Sequence, residues 1–447
     1  CSQRGSVTAG AGADDGGIFS HITSYMSSKR DFVMTDNLRK TPLHAWHRNA
    51  GANMADFGGF DMPLWYDTGV KTEHLAVLIS AGMFDTSHMD CIRVRGKDSP
   101  ALLDFCFTRH ISDLSSGRCA YGAFLDAQGH CIDDAIVYRF SDVSFMVCVN
   151  AGMGASITGH LVLHSNEKSV EIKDLSEQLA KLDVQGKNAL KIVSGVIRDK
   201  ETVFNTMPYF SFKGDLEPEA SNGVSLVDGT PVIVSRTGYT GEFGFEIFIA
   251  PDKVEKLWCN LLDAGSPYGL IPCGLGARDS LRAGACLPLS HQDIGHFPFI
   301  NHPWEFALPF KAGTRRFTKT FLGSQSLMDL EQQSFTYAFV GDSLRKVTAG
   351  DAARVLTEQG KDIGMVLTCA TDMGIFWHED TIISVNTPNL PPDVTIKGLA
   401  CGFVMVNQPL DMGTRLSLVE GKRKIGVRLV SDIRPDRTAR LAIKHFK

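Results

Sequence analysis

Two adjacent carboxylates, Asp133 and Asp134, head the β-rich run Ala135-Ile136-Val137-Tyr138, just after the turn Gln128-Gly129-His130. Neighbouring side chains on a strand point to opposite faces, so at most one of the pair looks into a core or a pocket. In a cleft such a carboxylate orients a donor or accepts a proton; otherwise the pair is a turn cap and a solvated Asp. A second segment, Gly238-Tyr239-Thr240-Gly241-Glu242-Phe243-Gly244-Phe245-Glu246, places three glycines in seven residues. A phosphate-binding loop would open a helix, whereas this turn runs into Phe245-Glu246-Ile247-Phe248-Ile249, which reads as a strand. The Glu246 side chain points opposite to those of Phe245 and Ile247. Facing a pocket, its carboxylate can accept two hydrogen bonds from a planar amino-pyrimidinone edge, each worth about 1.5–3 kcal/mol; on an edge strand it is a solvated Glu. The third segment is Gly274-Leu275-Gly276-Ala277-Arg278-Asp279-Ser280-Leu281-Arg282. Its glycines allow close backbone approach, and Arg278 on a first helical turn is either an anion clamp or a partner for Asp279.

Other chemistry is thinner. His291, His296 and His302 share one loop region but match no ligand spacing, so no metal is expected. His88 in Phe84-Asp85-Thr86-Ser87-His88-Met89 is half of an acid–base pair with Asp85 or part of a capped turn. Eleven cysteines contain no Cys-x-x-Cys pair and sit mostly in apolar runs, which reads as buried reduced thiols.

The elements that must position these residues alternate between helical and extended patterns from 40 to about 310. A helix is expected at 70–80 with Gly82 as its stop, another at 252–264 ending at Gly265, and a third from near Gly276. Hairpins are expected at 133–140/143–149 and 231–236/244–250. This order implies α+β layers rather than a doubly wound parallel sheet. After about 335, short extended runs at 336–341, 363–369, 399–406, 414–418 and 424–431 read as a small, barrel-like all-β domain, with 387–392 as a surface loop. Residues 1–17 are rich in Gly, Ala and Ser, and 1–33 read as a disordered extension or leader. The expected division is therefore 1–33, 34–335 for two intertwined α+β domains, and 336–447 for the β-domain.

With 447 residues, 43% hydrophobic, there is material for about three domains. A net charge of -5 argues against a surface built for nucleic-acid phosphates. No apolar run approaches the roughly 18 residues of a membrane span, so a cytoplasmic protein is expected, or a mitochondrial matrix protein in a eukaryote.

Read in order, Thr41-Pro42-Leu43, Phe57-Gly58-Gly59-Phe60-Asp61-Met62-Pro63-Leu64-Trp65-Tyr66, Phe84-Asp85-Thr86-Ser87-His88-Met89, Asp133-Asp134, Arg236-Thr237-Gly238-Tyr239-Thr240-Gly241-Glu242 and Gly276-Ala277-Arg278-Asp279-Ser280-Leu281-Arg282 resemble the T-protein (aminomethyltransferase) family of the glycine cleavage system. The match runs from about 40 to 300; the C-terminal third fits loosely, through Gly364-Met365-Val366-Leu367-Thr368 and Gly413-Thr414-Arg415. The resemblance implies a three-domain cloverleaf, two intertwined α+β domains and a C-terminal β-domain, with tetrahydrofolate in the central hole. It implies that Glu246 and Arg278, with Tyr239, hold the folate, that Met89 lines the pterin pocket, and that Asp134 is the critical acid. The implied reaction passes a methylene from the aminomethyl-lipoyl arm of H-protein to folate, releasing ammonia. Lipoylated H-protein and folate would then be the partners.

Departures from the family pattern cluster elsewhere. Gly152-Met153-Gly154-Ala155-Ser156 stands where the family has a Lys-Asp pair after Val149-Asn150-Ala151, and Leu281-Arg282-Ala283-Gly284-Ala285-Cys286 and Leu289-Ser290-His291 also depart. The aromatic segment 295–304 is foreign to the pattern. These changes point to a substrate mouth formed by Asn150, Phe297, Phe299 and Trp304, with the folate site kept and the donor open. The alternatives are a folate-dependent demethylase of a small sulfonium, amine or methoxy compound, its cation held by those aromatics, and a non-catalytic folate-binding protein.

Overall fold

A computed structural model describes residues 38–217, 223–330, 333–390 and 392–447. The extension expected at 1–33 lies outside the described residues. One mixed sheet orders the strands Phe212–Lys213, Pro231–Ser235, Gly244–Ile249, Ala180–Gln185, Ala81–Asp85 and Leu270–Pro272, with Val224–Ser225 added on Pro231–Ser235. All of its pairs are antiparallel except Leu270–Pro272 with Ala81–Asp85. A second, antiparallel sheet orders Arg118–Leu125, Cys131–Ser141, Ser144–Val149, Asp90–Arg95 and Glu171–Asp174. It is spliced into the first: Gly82 pairs with Gln185, and the whole second sheet lies in the chain between those two strands. The α+β expectation holds, and the two units are intertwined as the resemblance implies. The third unit is a closed barrel of Phe335–Gly341, Leu399–Val406, Asp362–Asp372, Gly350–Leu356, Arg415–Glu420 and Arg423–Val430.

The strand Gly244–Ile249 is buried along its whole length because it has neighbours on both edges and layers on both faces. One face carries Phe245 and Ile247, which join Leu182, Val184, Leu257, Trp258 and Leu261 in a core under the amphipathic helix Val254–Gly265. By strand alternation the other face carries Glu246, and its neighbour strand turns Lys181 and Asp183 the same way. Glu246 and Asp183 are direct cross-strand partners. Two opposed buried carboxylates repel, so this face must collect cations.

The glycines of the hairpin have a mechanical reason. A Cβ at Gly238 would lie 2.1 Å from Gln185 Oε1, and one at Gly244 would lie 2.6 Å from Gln185 Cδ. Gln185 fills the turn from below, its Nε2 donating to the Thr237 and Phe245 carbonyls at 3.2 and 3.3 Å. The helix expected at 70–80 is Gly69–Ile79, but Gly82 is not its stop. Gly82 lies inside the buried strand Ala81–Asp85, where a Cβ would sit 2.5 Å from Val77 Cγ2 and 2.7 Å from Cys273 Sγ. Packing, not helix termination, selects the glycine.

A buried clasp ties the barrel to the unit of the first sheet. Arg434 reaches Asp372 Oδ2 at 2.5 Å and Glu242 Oε1 at 3.2 Å, and donates to the Thr240 carbonyl. Asp372 in turn contacts His74 Nε2 at 3.0 Å, and His74 Nδ1 meets Ser280 Oγ at 2.8 Å.

Candidate functional site

The strand Cys131–Ser141 links the candidate side chains of the two sheets. Asp134 and Tyr138 are four residues apart on that strand and share a face, which spaces them by about 14 Å. At one end Tyr138 Oη lies 3.5 Å from Glu246 Oε2. Between the ends the partly buried Met89 and Ile136 flank the cluster of Cys91, Cys119, Tyr138 and Cys148.

At the other end both carboxylates converge on Asn150, where alternation alone leaves only one on each face. The Asn150 side-chain amide donates to Asp133 Oδ1 at 2.7 Å and to Asp134 Oδ1 at 2.6 Å, and the Asn150 backbone N–H donates to Asp133 Oδ2 at 2.9 Å. Tyr121 Oη donates to Asp134 Oδ2 at 2.7 Å. Asp133 is completely enclosed, while Asp134 keeps 8% exposure. Burial, reinforced by the Asp134 charge, pushes the Asp133 carboxyl up to about 8. Burial also raises Asp134, opposed by the Tyr121 and Asn150 donors. The pair therefore retains one proton at neutral pH, as like charges at this spacing require.

That shift has a sign for stability. Between the ordinary carboxylate value of 3.8 and about 8 the folded state holds a proton that the unfolded chain has released. Stability from this group therefore falls as pH rises through that window. Asp133→Asn is expected to flatten the decline, read as the urea midpoint against pH from 5 to 8; an unchanged slope would refute the assignment.

At the Glu246 end four charges alternate. Lys181 Nζ is 2.5 Å from Glu246 Oε1 and 3.8 Å from Asp183 Oδ1, and Arg278 Nη1 is 2.7 Å from Asp183 Oδ2. Thr237 Oγ1 donates to Glu246 Oε2, and Thr86 Oγ1 donates to Asp183 Oδ1 at 2.9 Å. Burial alone would lower the Lys181 ammonium, but Glu246 and then Asp183 outweigh it and raise it. Burial would raise Asp183, yet Lys181 and Arg278 hold it below the carboxylate range. The Arg278 guanidinium lies 4.8 Å over the Tyr239 ring, whose hydroxyl donates to the Pro288 carbonyl. Arg278 occupies the first turn of the helix Leu275–Gly284; a Cβ at Gly274 would lie 2.4 Å from the Leu64 carbonyl, so the glycine lets that helix start against a strand backbone.

His88 is not paired with Asp85, which instead accepts Thr41 Oγ1 at 2.7 Å, His47 Nε2 at 3.1 Å and the Ser87 N–H at 2.9 Å. The capped-turn alternative is the observed one. His88 is 2% exposed, its Nδ1 makes no hydrogen bond among the described residues, and burial followed by the Arg278 charge pushes it down to about 3.

The aromatic mouth is not built as expected. Phe299 and Trp304 are fully buried in the core between the second sheet and the barrel. The Trp304 indole N–H donates to the Cys286 carbonyl at 3.0 Å, and its ring packs edge-on against Phe403 at 5.2 Å. Phe297 is partly buried against the same core. Aromatic density here serves domain packing; of the four expected mouth residues, Asn150 is the one that touches Asp134. No group of His, Cys, Asp and Glu among the described residues is arranged to hold a metal, and the ten described cysteines are free thiols. No helix among them is long and apolar enough to cross a membrane.

Sequence reasoning missed Lys181, Asp183, Tyr121, Tyr138 and Thr237. The available signal was the alternation of charge and apolar residues in Ala180-Lys181-Leu182-Asp183-Val184, which marks a strand with one polar buried face.

The GCVT N-terminal domain model matches residues 43–310. Aminomethyltransferase of Desulfitobacterium hafniense (strain Y51) is 34% identical over 333 residues, covering 74% of this chain and 85% of its own. Aminomethyltransferase of Leptospira interrogans (serovar Lai, strain 56601) is 35% identical over 338 residues, covering 73% and 84%. The crystal structure of glycine cleavage system aminomethyltransferase T from Bartonella henselae shares the fold, with a TM-score of 0.72 over 90% of this chain and 99% of that one at 24% identity. With more than half of its residues matched by that model, the chain belongs to the GCVT family.

Proposed function

We propose that this protein is a tetrahydrofolate-dependent aminomethyltransferase of the glycine cleavage type, acting on an aminomethylated lipoyl carrier. The observation that carries the reading is the similarity to curated aminomethyltransferases along 85% of their length. The residues present fit a folate. A charged pair of each sign lies at the Glu246–Arg278 end, a half-protonated acid pair lies at the other, and the buried Nδ1 of His88 is unpartnered. Glu246 and Arg278 would hold the pterin, with Tyr239 beneath the guanidinium and Met89 alongside. Tetrahydrofolate supplies the nucleophilic nitrogens that receive the one-carbon unit. Asp134, fixed by Tyr121 and Asn150, orients N–H donors and stabilises positive charge developing beside it, an electrostatic role for a largely buried carboxylate. Asn150 restrains both carboxyls at once, so Asp134 needs no reorganisation when charge appears.

The test is to incubate the protein with tetrahydrofolate and aminomethylated H-protein, and in parallel with a panel of methyl donors. Methylene-tetrahydrofolate and ammonia are the expected products. Formation of 5-methyl-tetrahydrofolate from a methyl donor would mean demethylation, a reading weakened by the burial of Phe299 and Trp304. Folate binding without either product would mean a non-catalytic protein.

A further inference from the structure

The folate reading leaves one feature unexplained: the carboxylate assigned to the pterin is already occupied. Glu246 is 3% exposed, with Lys181 on one oxygen and Thr237 and Tyr138 on the other. A planar edge with two donors needs one lone pair on each oxygen in a shared direction. Lys181 Nζ already lies 2.5 Å from Oε1, so that oxygen is engaged while the ammonium stays. The ammonium cannot simply be expelled, because it is buried in the sheet and leaving Glu246 would strand two opposite charges. A second carboxylate stands ready, however: Asp183 Oδ1 is 3.8 Å from the same nitrogen, within reach of a small rotation of a flexible four-carbon stem.

We propose that Lys181 is a specificity-determining residue of the folate site, a resident cation that holds Glu246 closed and moves onto Asp183 when a pterin edge arrives. The proposal rests on the assignment of Glu246 to the pterin. The exchange leaves no buried charge bare, each keeping an opposite charge or hydrogen-bond donors. Before it, Lys181 neutralises Glu246 while Arg278 neutralises Asp183; after it, Asp183 takes the ammonium, the ligand's N–H donors satisfy Glu246, and Arg278 turns partly toward the ligand. No covalent step is involved. A ligand without two adjacent donors cannot replace the ammonium, so the site rejects compounds that lack such an edge. The neutral His88, close enough to feel both Arg278 and Lys181, keeps a buried Nδ1 without a hydrogen-bond partner among the described residues at that end.

The experiment is direct titration with tetrahydrofolate under anaerobic conditions, read by calorimetry, for the full chain and four variants. Lys181→Met removes the competitor while keeping the stem, and is expected to tighten binding at least ten-fold. Asp183→Asn removes the second seat and is expected to weaken binding at least ten-fold, but only while Lys181 is present. In the Lys181→Met/Asp183→Asn double variant that loss should vanish. The proposal is overturned if Lys181→Met binds no tighter, or if Asp183→Asn costs the same in both backgrounds. Should Lys181→Met fail to give the wild-type circular dichroism spectrum, Asp183→Asn decides: unchanged or tighter binding refutes the exchange. Glu246→Gln separates the layers. If it binds tetrahydrofolate like wild type, the pterin assignment itself fails; if it loses binding while Lys181→Met gains nothing, the role of Lys181 alone fails.

Discussion

Asp134→Asn is expected to lower kcat for methylene-tetrahydrofolate formation by about 10²–10³, the cost of removing one preorganised charge from a water-excluded site. The tetrahydrofolate Kd should stay within a few-fold of wild type, because Glu246, the proposed pterin anchor, lies beside the other end of the strand, at Tyr138. The substitution keeps the shape of the side chain. Asparagine keeps an oxygen for the Tyr121 hydroxyl, which donates to Asp134 Oδ2 at 2.7 Å, but its amide N–H2 then faces the Asn150 amide, which donates to Asp134 Oδ1 at 2.6 Å and must turn; against that cost, the lost negative charge relieves the repulsion that raises Asp133. The melting temperature should therefore stay close to wild type. A purely structural role for Asp134 would give the opposite pattern, with stability lost and residual activity per folded molecule intact. Stopped-flow product formation alongside a thermal melt distinguishes the two.

Arg434→Met is expected to destabilise the protein by about 3–5 kcal/mol, since removing one member of a buried ion network leaves uncompensated charge behind. Arg434 has no solvent exposure, and neither does Asp372. The loss would strand Asp372, whose carboxyl the Arg434 charge, then His74, holds well below the usual range against the upward push of burial. It would also strand Glu242, which is left with Thr438 Oγ1 at 2.6 Å and Asn386 Nδ2 at 3.1 Å. Methionine matches the stem only, so the void left by the buried guanidinium adds to the loss. Urea unfolding followed by fluorescence provides the measurement; a change below about 1 kcal/mol would mean that the network is close to neutral, as some buried pairs are.

How much of this was legible in the residues differs from element to element. The hairpin 231–235/244–249 and the helix Val254–Gly265 lie within a residue or two of where periodicity puts them, because their apolar spacing reports directly on one buried face. The barrel strand Gly350–Leu356 was invisible: it reads Gly-Asp-Ala-Ala-Arg-Val-Leu, is exposed at several positions, and is pushed out of register with Asp362–Asp372. Glu246 could be placed on a strand, but not on a central one; burial of both faces comes from neighbours more than sixty residues away, such as Lys181. The aromatic run at 297–304 failed for the converse reason. Exposed cages and packed domain cores draw on the same residue types, and local sequence does not separate them.

The clasp around Arg434 also bears on how the site comes into being during synthesis. The Thr240 carbonyl and Glu242 meet Arg434 across about 190 residues of chain, and Phe243 stacks at 3.7 Å on Phe446. At 5–20 residues per second a ribosome needs roughly 10–40 s to cover that interval. Throughout it the glycine-rich hairpin is present without the groups that fix it. A nascent chain arrested within the barrel would hold every residue of the proposed folate site and lack the buckle that closes over its hairpin.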